Sequence, residues 1–287
     1  MKQLTSPNVI KDLLNQYGFR FSKSLGQNFL IDEAALETIT GAAFLNGDDL
    51  VLEIGPGFGT LTQRLCQTAK KVVAVEIDRA VIPVLADTLC GFDNLTVLNE
   101  DILKVDLPSL INEQFLGNPF KVAANLPYYI TTPIIMAVLR SGVPFTHMVA
   151  MVQKEVAQRF CAPPGGKDYG AVTVAVDYYC EAERILDVPP SSFLPPPKVT
   201  SSVIRLTRRK APKVQVKDEA VFFKTVKAAF AQRRKTLLNT LANAGGFGHP
   251  KARLSEILTA CGIDPARRGE TLSIEEFAAL SDALIEN

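Results

Sequence analysis

Three closely spaced glycines and two acidic residues follow successive apolar runs in the first half of the chain. Gly55, Gly57 and Gly59 form a GxGxG pattern in "VLEIGPGFGTLT", and glycine lets a ligand approach the backbone closely. Glu76 ends the second run, 21 positions after Gly55, where a carboxylate can accept both hydroxyls of a ribose. Asp101 ends the third run in "NED", where it can accept a hydrogen bond from an adenine amino group.

This loop is unsuited to a phosphate-bearing ligand. The dinucleotide fingerprint is GxGxxG, with the pyrophosphate at a helix N-terminus. Here the glycine spacing differs, Pro56 lacks an N–H, and Glu53 would repel a pyrophosphate. Because the carboxyl ends of neighbouring parallel strands form one crevice, the pattern favours S-adenosyl-L-methionine as the cofactor. Glycine turns beside solvated acidic residues are the alternative interpretation.

A second chemical group follows the apolar run "VAAN". Asn125, Leu126, Pro127 and Tyr128 stand in sequence there. An adenine amine is a poor nucleophile because its lone pair is delocalised into the ring. The Asn125 side-chain oxygen and the Leu126 carbonyl can each accept one N6 proton, which would free that lone pair for in-line attack on a sulfonium methyl. Tyr128 can stack on an extruded base. An Asn-Pro turn beside aromatic core residues is the alternative.

Both groups need strands that end at one edge of a sheet. Strand-like runs and helical spacing alternate along the chain, which predicts an α/β fold with a parallel sheet covered by helices on both faces. The predicted strands are 49–55, 70–78, 95–101, 120–125, 146–153, 171–180 and 199–207, the last two forming an antiparallel edge. The predicted helices between them are 60–69, 80–89, 131–140 and 154–162.

The end of the chain differs in charge and in pattern. Residues 207–287 contain 14 Lys and Arg against 9 Asp and Glu, whereas residues 1–206 contain 17 against 21. This asymmetry favours a polyanionic partner, with a solvated helix face as the alternative. The predicted division is a first domain at 1–207, a polar linker at 208–219 and a helical domain at 220–287, with helices at 220–244, 250–262 and 273–286.

Seven stretches, taken in order, resemble the ribosomal RNA adenine N6,N6-dimethyltransferase family over nearly the whole chain. They are "SLGQNFLID" (24–32), "LEIGPGFGTLT" (52–62), "EIDR" (76–79), "NEDIL" (99–103), "NLPYYITTPI" (125–134), "FLPPPKVTSSVIRL" (193–206) and "RRKTLLN" (233–239). The resemblance implies a Rossmann-like class I methyltransferase sheet that binds S-adenosyl-L-methionine, a small C-terminal all-helical RNA-binding domain, and no metal. It also implies methyl transfer to N6 of two adjacent adenosines in the 3′-terminal hairpin loop of 16S rRNA during small-subunit biogenesis.

The resemblance assigns roles to individual residues. Asn28 and Leu30 would close over the methionine part of the cofactor, and Phe193 would stack on the adenine opposite Tyr128. The implied cofactor site comprises Asn28, Leu30, Gly55, Glu76, Asp101 and Asn125. The implied catalytic group comprises Asn125, Leu126, Pro127, Tyr128 and Phe193. By residue type alone, Phe193 is equally compatible with a core position.

The basic run "RRK" is expected to bind RNA. Arg233, Arg234 and Lys235 would contact rRNA phosphates from a helix that docks by an apolar face carrying Phe222, Val226 and Phe230. Three N-terminal residues are expected to add to this surface: Lys11, Arg20 and Lys23.

Composition narrows the class of protein further. Five scattered cysteines and two histidines offer neither a CxxC pair nor a zinc-ligand pattern. No uninterrupted apolar run reaches the length of a membrane span, so we expect a soluble cytoplasmic protein. Without a coiled-coil seam, a monomer is the default expectation.

Three other functions share part of the pattern. A macrolide-resistance-type 23S rRNA adenine N6-methyltransferase has most of the same motifs. A ribosome-assembly binding factor with secondary catalysis would need the same RNA surface. A DNA N6-adenine methyltransferase is disfavoured, because the C-terminal region is too small for an obvious sequence-reading module.

Overall fold

The computed structural model describes residues 2–22, 25–245 and 247–286, so Lys23 and Ser24 of the stretches above lie outside the described residues. The strands are β1 Phe29–Leu30, β2 Leu50–Ile54, β3 Lys71–Val75, β4 Leu95–Leu98, β5 Phe120–Asn125, β6 Phe145–Gln153, β7 Cys180–Val188, β8 Phe193–Leu194 and β9 Ser201–Arg208. The helices are α1 Pro7–Gln16, α2 Glu33–Ala42, α3 Thr60–Thr68, α4 Ile82–Thr88, α5 Leu107–Phe115, α6 Thr131–Arg140, α7 Lys154–Phe160, α8 Ala171–Tyr179, α9 Glu219–Ala229, α10 Leu237–Ala244, α11 Lys251–Ala260 and α12 Ile274–Glu286.

The central sheet has the strand order β4-β3-β2-β5-β6-β9-β7. The pairs β4-β3, β3-β2, β2-β5 and β5-β6 are all parallel, and β9 runs antiparallel to β6. The chain proceeds outward from β2 to β4 and then returns to β5 on the other side of β2. Loops therefore diverge between β2 and β5, which is where open α/β sheets bind ligands.

The strands that reach this switch point are apolar and buried on both faces. Val51, Leu52, Val72 and Val73 are fully buried, as expected for parallel strands covered by helices on both sides. The residues that follow β2, β3, β4 and β5 therefore meet at one edge of the sheet. The predicted α/β class and the predicted strands before residue 154 are confirmed.

The prediction of a strand over 171–180 is wrong. This segment forms α8, and the next strand, β7, begins at Cys180. The β-branched run "AVTVAV" favours a strand by propensity, but four consecutive residues of it, 173–176, are buried in a helix. The N–H of Gly170 donates to the Thr173 hydroxyl at the helix start, and Tyr178 packs on Phe222 of α9 with ring centroids 5.1 Å apart. Tertiary packing here overrides local propensity.

Backbone contacts divide the chain into two compact units. The first comprises Met1–Ala157 and Ala182–Arg208, and the second comprises Gln158–Glu181 and Arg209–Asn287. The boundaries predicted from the sequence place 158–181 in the first domain, whereas the contacts group that segment with the C-terminal helices. Within the described residues, no helix is both long enough and apolar enough to cross a membrane.

The single helix predicted over 220–244 is two helices. α9 ends at Ala229 and α10 begins at Leu237, so Arg233 to Lys235 lie in a turn and not on a helix. Thr236 starts the second helix because its hydroxyl accepts a hydrogen bond from the Asn239 N–H. The apolar face of α9 is nevertheless buried, as Phe222 and Val226 are at most 1% exposed.

Candidate active site

A cavity opens at the carboxyl edge of the sheet, in the first unit. Its walls come from the segment 25–30, from the loops after β2, β3 and β4, and from the segment that follows β5. Its acidic lining residues are Glu53, Glu76, Glu100 and Asp101, and no lysine, arginine or histidine is among its described lining residues. Such a lining attracts cations and repels phosphates. In the described part of the chain, no cluster of His, Cys, Asp and Glu could hold a metal ion.

The glycine loop after β2 uses its N–H groups internally. Gly55 and Gly59 donate to backbone carbonyls at 2.9 and 3.0 Å, and Gly57 donates to the Glu76 carboxylate at 3.2 Å. Gly57 has a φ of 57°, and a Cβ there would lie 2.7 Å from the Phe29 ring, so glycine is required. None of these three N–H groups is left for a phosphate, in keeping with the sequence argument.

Glu76, at the end of β3, keeps acceptor capacity on both oxygens. The residue is 6% exposed; its Oε1 accepts from the Asp78 N–H at 2.8 Å and its Oε2 accepts from Gly57. A carboxylate offers about four lone-pair positions, so one remains on each oxygen. Two vicinal hydroxyls match these two positions. Burial raises the pKa of Glu76, while the backbone N–H groups oppose that rise.

Asp101 lies beyond β4 and is half-buried. Its Oδ1 accepts from the Leu103 N–H at 3.0 Å, and its Oδ2 lies 3.7 Å from the exposed Lys104 ammonium. A loose surface ion pair contributes little, so Oδ2 can accept from an amino group in the cavity. Ile77 and Ile102 also line this part of the cavity and provide apolar walls for a planar ring.

Glu53 is a lining acid of a different kind. It is 1% exposed, and its Oε2 has no hydrogen-bond partner among the described residues. Burial raises the pKa of Glu53 to about 8; the Thr62 hydroxyl opposes this rise, and the neighbouring Glu76 charge adds to it. A buried polar oxygen without a partner is destabilising. A cationic or hydrogen-bond-donating ligand would relieve that cost.

Asn125 joins two segments of the cavity wall. Its Nδ2 donates to the carbonyl oxygen of Asn28 at 2.9 Å, across 97 positions of sequence. Asn28 in turn donates from its own amide to the Gly26 carbonyl at 2.9 Å. The Asn125 Oδ1 accepts no hydrogen bond from the described residues. The amide is thereby oriented with its donor toward the segment 25–30 and its acceptor available.

The residues after Asn125 form a tight turn. The Pro127 carbonyl accepts from the Ile130 N–H at 3.2 Å and from the Thr131 hydroxyl at 3.0 Å. Within the described chain, the Leu126 carbonyl accepts no hydrogen bond, although Leu126 itself is 2% exposed. Tyr128 lines the cavity, its hydroxyl bonds to Ser201, and burial raises its pKa. Two unengaged oxygens therefore stand beside an anchored aromatic ring.

The sequence-predicted residues are brought together at this cavity with one exception. Asn28, Leu30, Gly55, Glu76, Asp101 and the run Asn125 to Tyr128 all line it. Phe193 is not among the lining residues; it is 2% exposed and packs in the core, where β8 pairs with β1. Its stacking role stays a prediction. The sequence argument missed Tyr129, which lines the cavity and is 55% exposed; the Tyr-Tyr doublet was the available signal.

The basic residues expected to bind RNA are exposed in the second unit. Arg233 Nε donates to Glu270 Oε2 at 2.7 Å, so its charge is partly neutralised. Arg234 and Lys235 make no ion pair with the described residues, and both are exposed. In the first unit, Lys11 and Arg20 are exposed as well.

The sequence is similar to proteins of ribosomal RNA modification over its whole length. It matches the family described as ribosomal RNA adenine dimethylase over residues 18–282. The ribosomal RNA small subunit methyltransferase A of Geobacillus thermodenitrificans is 54% identical over 286 residues, which cover 99% of this chain and 98% of that protein. The protein of the same name from Bacillus cereus strain B4264 is 52% identical over 287 residues, with the same coverage.

Two solved structures share the fold over most of the chain. A dimethyladenosine transferase from Plasmodium falciparum superposes with a TM-score of 0.74 at 27% identity, over 88% of this chain and 95% of that one. The 23S rRNA methyltransferase ErmE superposes with a TM-score of 0.67 at 28% identity, over 90% and 100%. With the acid-lined cavity and the Asn-Leu-Pro-Tyr turn in place, these matches show that the chain belongs to the ribosomal RNA adenine dimethylase family.

Proposed function

We propose that this protein transfers methyl groups from S-adenosyl-L-methionine to N6 of two adjacent adenosines in the 3′-terminal hairpin loop of 16S rRNA, giving N6,N6-dimethyladenosine. The observation that carries the proposal is the pair of unengaged oxygens, Asn125 Oδ1 and the Leu126 carbonyl. They lie beside a cavity that has acidic lining residues and no Lys, Arg or His among its described lining residues. Two relatives more than 50% identical to this chain are small-subunit rRNA methyltransferases, which supports the small ribosomal subunit as the substrate.

The cavity suits a cationic nucleoside. The two free acceptor positions of Glu76 match the ribose hydroxyls, and Asp101 Oδ2 can accept from an adenine amine. When bound, the sulfonium supplies a methyl group activated for attack by a weak nucleophile. Glu53 is almost completely buried, and its unpartnered oxygen can interact with the sulfonium or with the ammonium group of S-adenosyl-L-methionine.

The acceptor side can hold an amine by its two protons. Asn125 Oδ1 accepts one proton and the Leu126 carbonyl the other, which concentrates electron density on the nitrogen lone pair. The amide of Asn125 cannot rotate freely because its Nδ2 donates to Asn28, so the acceptor is already in position before the substrate arrives. Tyr128, held by Ser201, can stack on the extruded base.

The exposed charges of the second unit can supply affinity for RNA. Arg234 and Lys235 are available to phosphates, whereas Arg233 is shared with Glu270. Phosphate contacts contribute affinity without base specificity. The likeness to the 23S rRNA methyltransferase ErmE makes a large-subunit substrate the competing hypothesis.

Mass spectrometry of modified rRNA tests the proposal. Small subunits that lack these methyl groups should gain two methyls on each of two neighbouring adenosines when incubated with the protein and S-adenosylmethionine. Asn125→Ala should lower the rate by about 100-fold or more, since an oriented acceptor in the reacting complex contributes on this scale. The control Glu37→Gln, at an exposed position of α2, should match the wild type. Methylation of 23S rRNA alone, or of duplex DNA, would contradict the proposal.

Glu53 predicts a pH dependence of stability. Its pKa in the folded protein, about 8, exceeds the ordinary value of 4.5. The protonated carboxyl therefore stabilises the folded state; this stabilisation is complete below pH 4.5 and is lost as the pH rises through 8. Relative to the neutral variant Glu53→Gln, the free energy of unfolding of the ligand-free wild type should fall by about 3–5 kcal/mol between pH 5 and pH 8. Urea titrations at several pH values measure it. Parallel curves for the two proteins would refute the buried-acid account, and Glu37→Gln serves as the exposed control.

The turn between α9 and α10 predicts a salt effect on RNA binding. Replacing Arg234 and Lys235 together by alanine should weaken binding to the small subunit and reduce the slope of log K against log salt by about 1.4. The matched double variant Lys70→Ala, Lys251→Ala removes the same charge from exposed positions outside this turn and should change the slope less. An unaltered slope in the first variant would mean that the turn faces solvent in the complex.

A further inference from the structure

The mouth of the cavity carries an aromatic ring with no assigned role. Three aromatic residues are among the described lining residues: Phe29, Tyr128 and Tyr129. Phe29 is 6% exposed and stacks on Phe58 with centroids 4.2 Å apart. Tyr128 is anchored through its hydroxyl. Tyr129 alone of the three leaves more than half of its surface exposed, 55%.

The support under Tyr129 is built from a braced loop. A Cβ added at Gly26 would lie 3.4 Å from Cδ1 of Tyr129, in van der Waals contact, so one edge of the ring lies beside this glycine. The two residues that follow this glycine are held in place. Gln27 donates to Asp78 Oδ2 at 2.7 Å, and the Asn28 carbonyl accepts from Asn125. One edge of the ring therefore lies beside a braced loop, while more than half of the residue is exposed to solvent.

We propose that Tyr129 stacks on the base of the nucleotide that flanks the target adenosine, an inference that rests on the proposed methyl transfer to RNA. A base extruded from its strand leaves the neighbouring base without a stacking partner. An exposed aromatic ring at the cavity mouth can replace that partner, and such stacking tolerates any base because every base has a π-face. Tyr129 follows directly after Tyr128, so the two rings can take two consecutive nucleotides.

Stacking at Tyr129 would act on RNA and not on the cofactor. Its ring lies beside Gly26, at the start of the segment 25–30, whereas the ribose and adenine acceptors Glu76 and Asp101 belong to the loops after β3 and β4. Loss of the ring should therefore lower kcat/KM for RNA and leave the affinity for the cofactor product unchanged. Removal of one base stack corresponds to about a 5- to 100-fold loss.

The test uses two variants and one matched control. Tyr129→Leu removes the ring and keeps apolar bulk, and Tyr129→Phe keeps the ring. Phe44→Leu is the control, because Phe44 is equally exposed, 57%, and does not line the cavity. The substrate is the small subunit with either the native nucleotide or uridine at the flanking position outside the pair of target adenosines, so that both methyl acceptors stay in place. Uridine stacks more weakly, and S-adenosylhomocysteine binding is measured in parallel.

The expected result has three parts. Tyr129→Leu should lose about 5- to 100-fold in kcat/KM on the native subunit, Tyr129→Phe and Phe44→Leu should stay within about threefold, and S-adenosylhomocysteine affinity should change by less than about twofold. Uridine should slow the wild type several-fold yet affect Tyr129→Leu by less than about twofold, since the interaction is already gone.

Other outcomes overturn the inference. If Tyr129→Leu matches the wild type, or if its effect and the uridine effect multiply, Tyr129 does not stack on the flanking base. If S-adenosylhomocysteine affinity falls in proportion to rate, the ring serves only to hold the loop 25–28. If the wild-type protein methylates no RNA, the proposed function itself is wrong. If the wild type methylates RNA and Tyr129→Leu does so equally well, only the stacking inference is wrong.

Discussion

The hydrogen bond from Asn125 Nδ2 to the Asn28 carbonyl is the contact on which the rest of the cavity depends. It closes the segment 25–30 over the carboxyl edge of the sheet, and it fixes which end of the Asn125 amide is available. One side of the cavity then presents acceptors for a nucleoside, and the other presents acceptors for an amine. Leu126 and Pro127 follow from this placement, because the tight turn leaves the Leu126 carbonyl without an internal partner while the Pro127 carbonyl has two.

Electrostatics decides which ligand fits that framework. Glu53 and Glu76 lie close enough for the charge on one to raise the pKa of the other, and no described lining residue is basic. Burial and the Glu76 charge together raise the pKa of Glu53 to about 8, so its uncharged form is favoured without a cation, and a cationic ligand would favour the ionised form. The glycine loop reinforces this selectivity, since its glycine N–H groups are already engaged.

The sequence predicted the strand ends that line the cavity, because parallel strands buried on both faces give long apolar runs whose ends are easily located. It failed where packing overrides local preference: the β-branched run in 171–180 is helical because it packs on α9. The turn at Arg233 was hidden because no glycine or proline interrupts the helical pattern. Contacts between distant residues, such as Asn125 with Asn28 or Tyr129 with Gly26, leave no local signal. For Phe193, the family pattern identified the residue as important but did not indicate that its side chain is buried.

The most direct test of this account is a crystal structure of the full chain with S-adenosylhomocysteine. The account predicts that the ribose hydroxyls donate to the two free acceptor positions of Glu76 and that the adenine amine lies within hydrogen-bond distance of Asp101. It also predicts that Asn125 Oδ1, beyond the sulfur, accepts no hydrogen bond from the ligand. A ribose bound elsewhere, or Asn125 turned so that its Nδ2 leaves the Asn28 carbonyl, would contradict it.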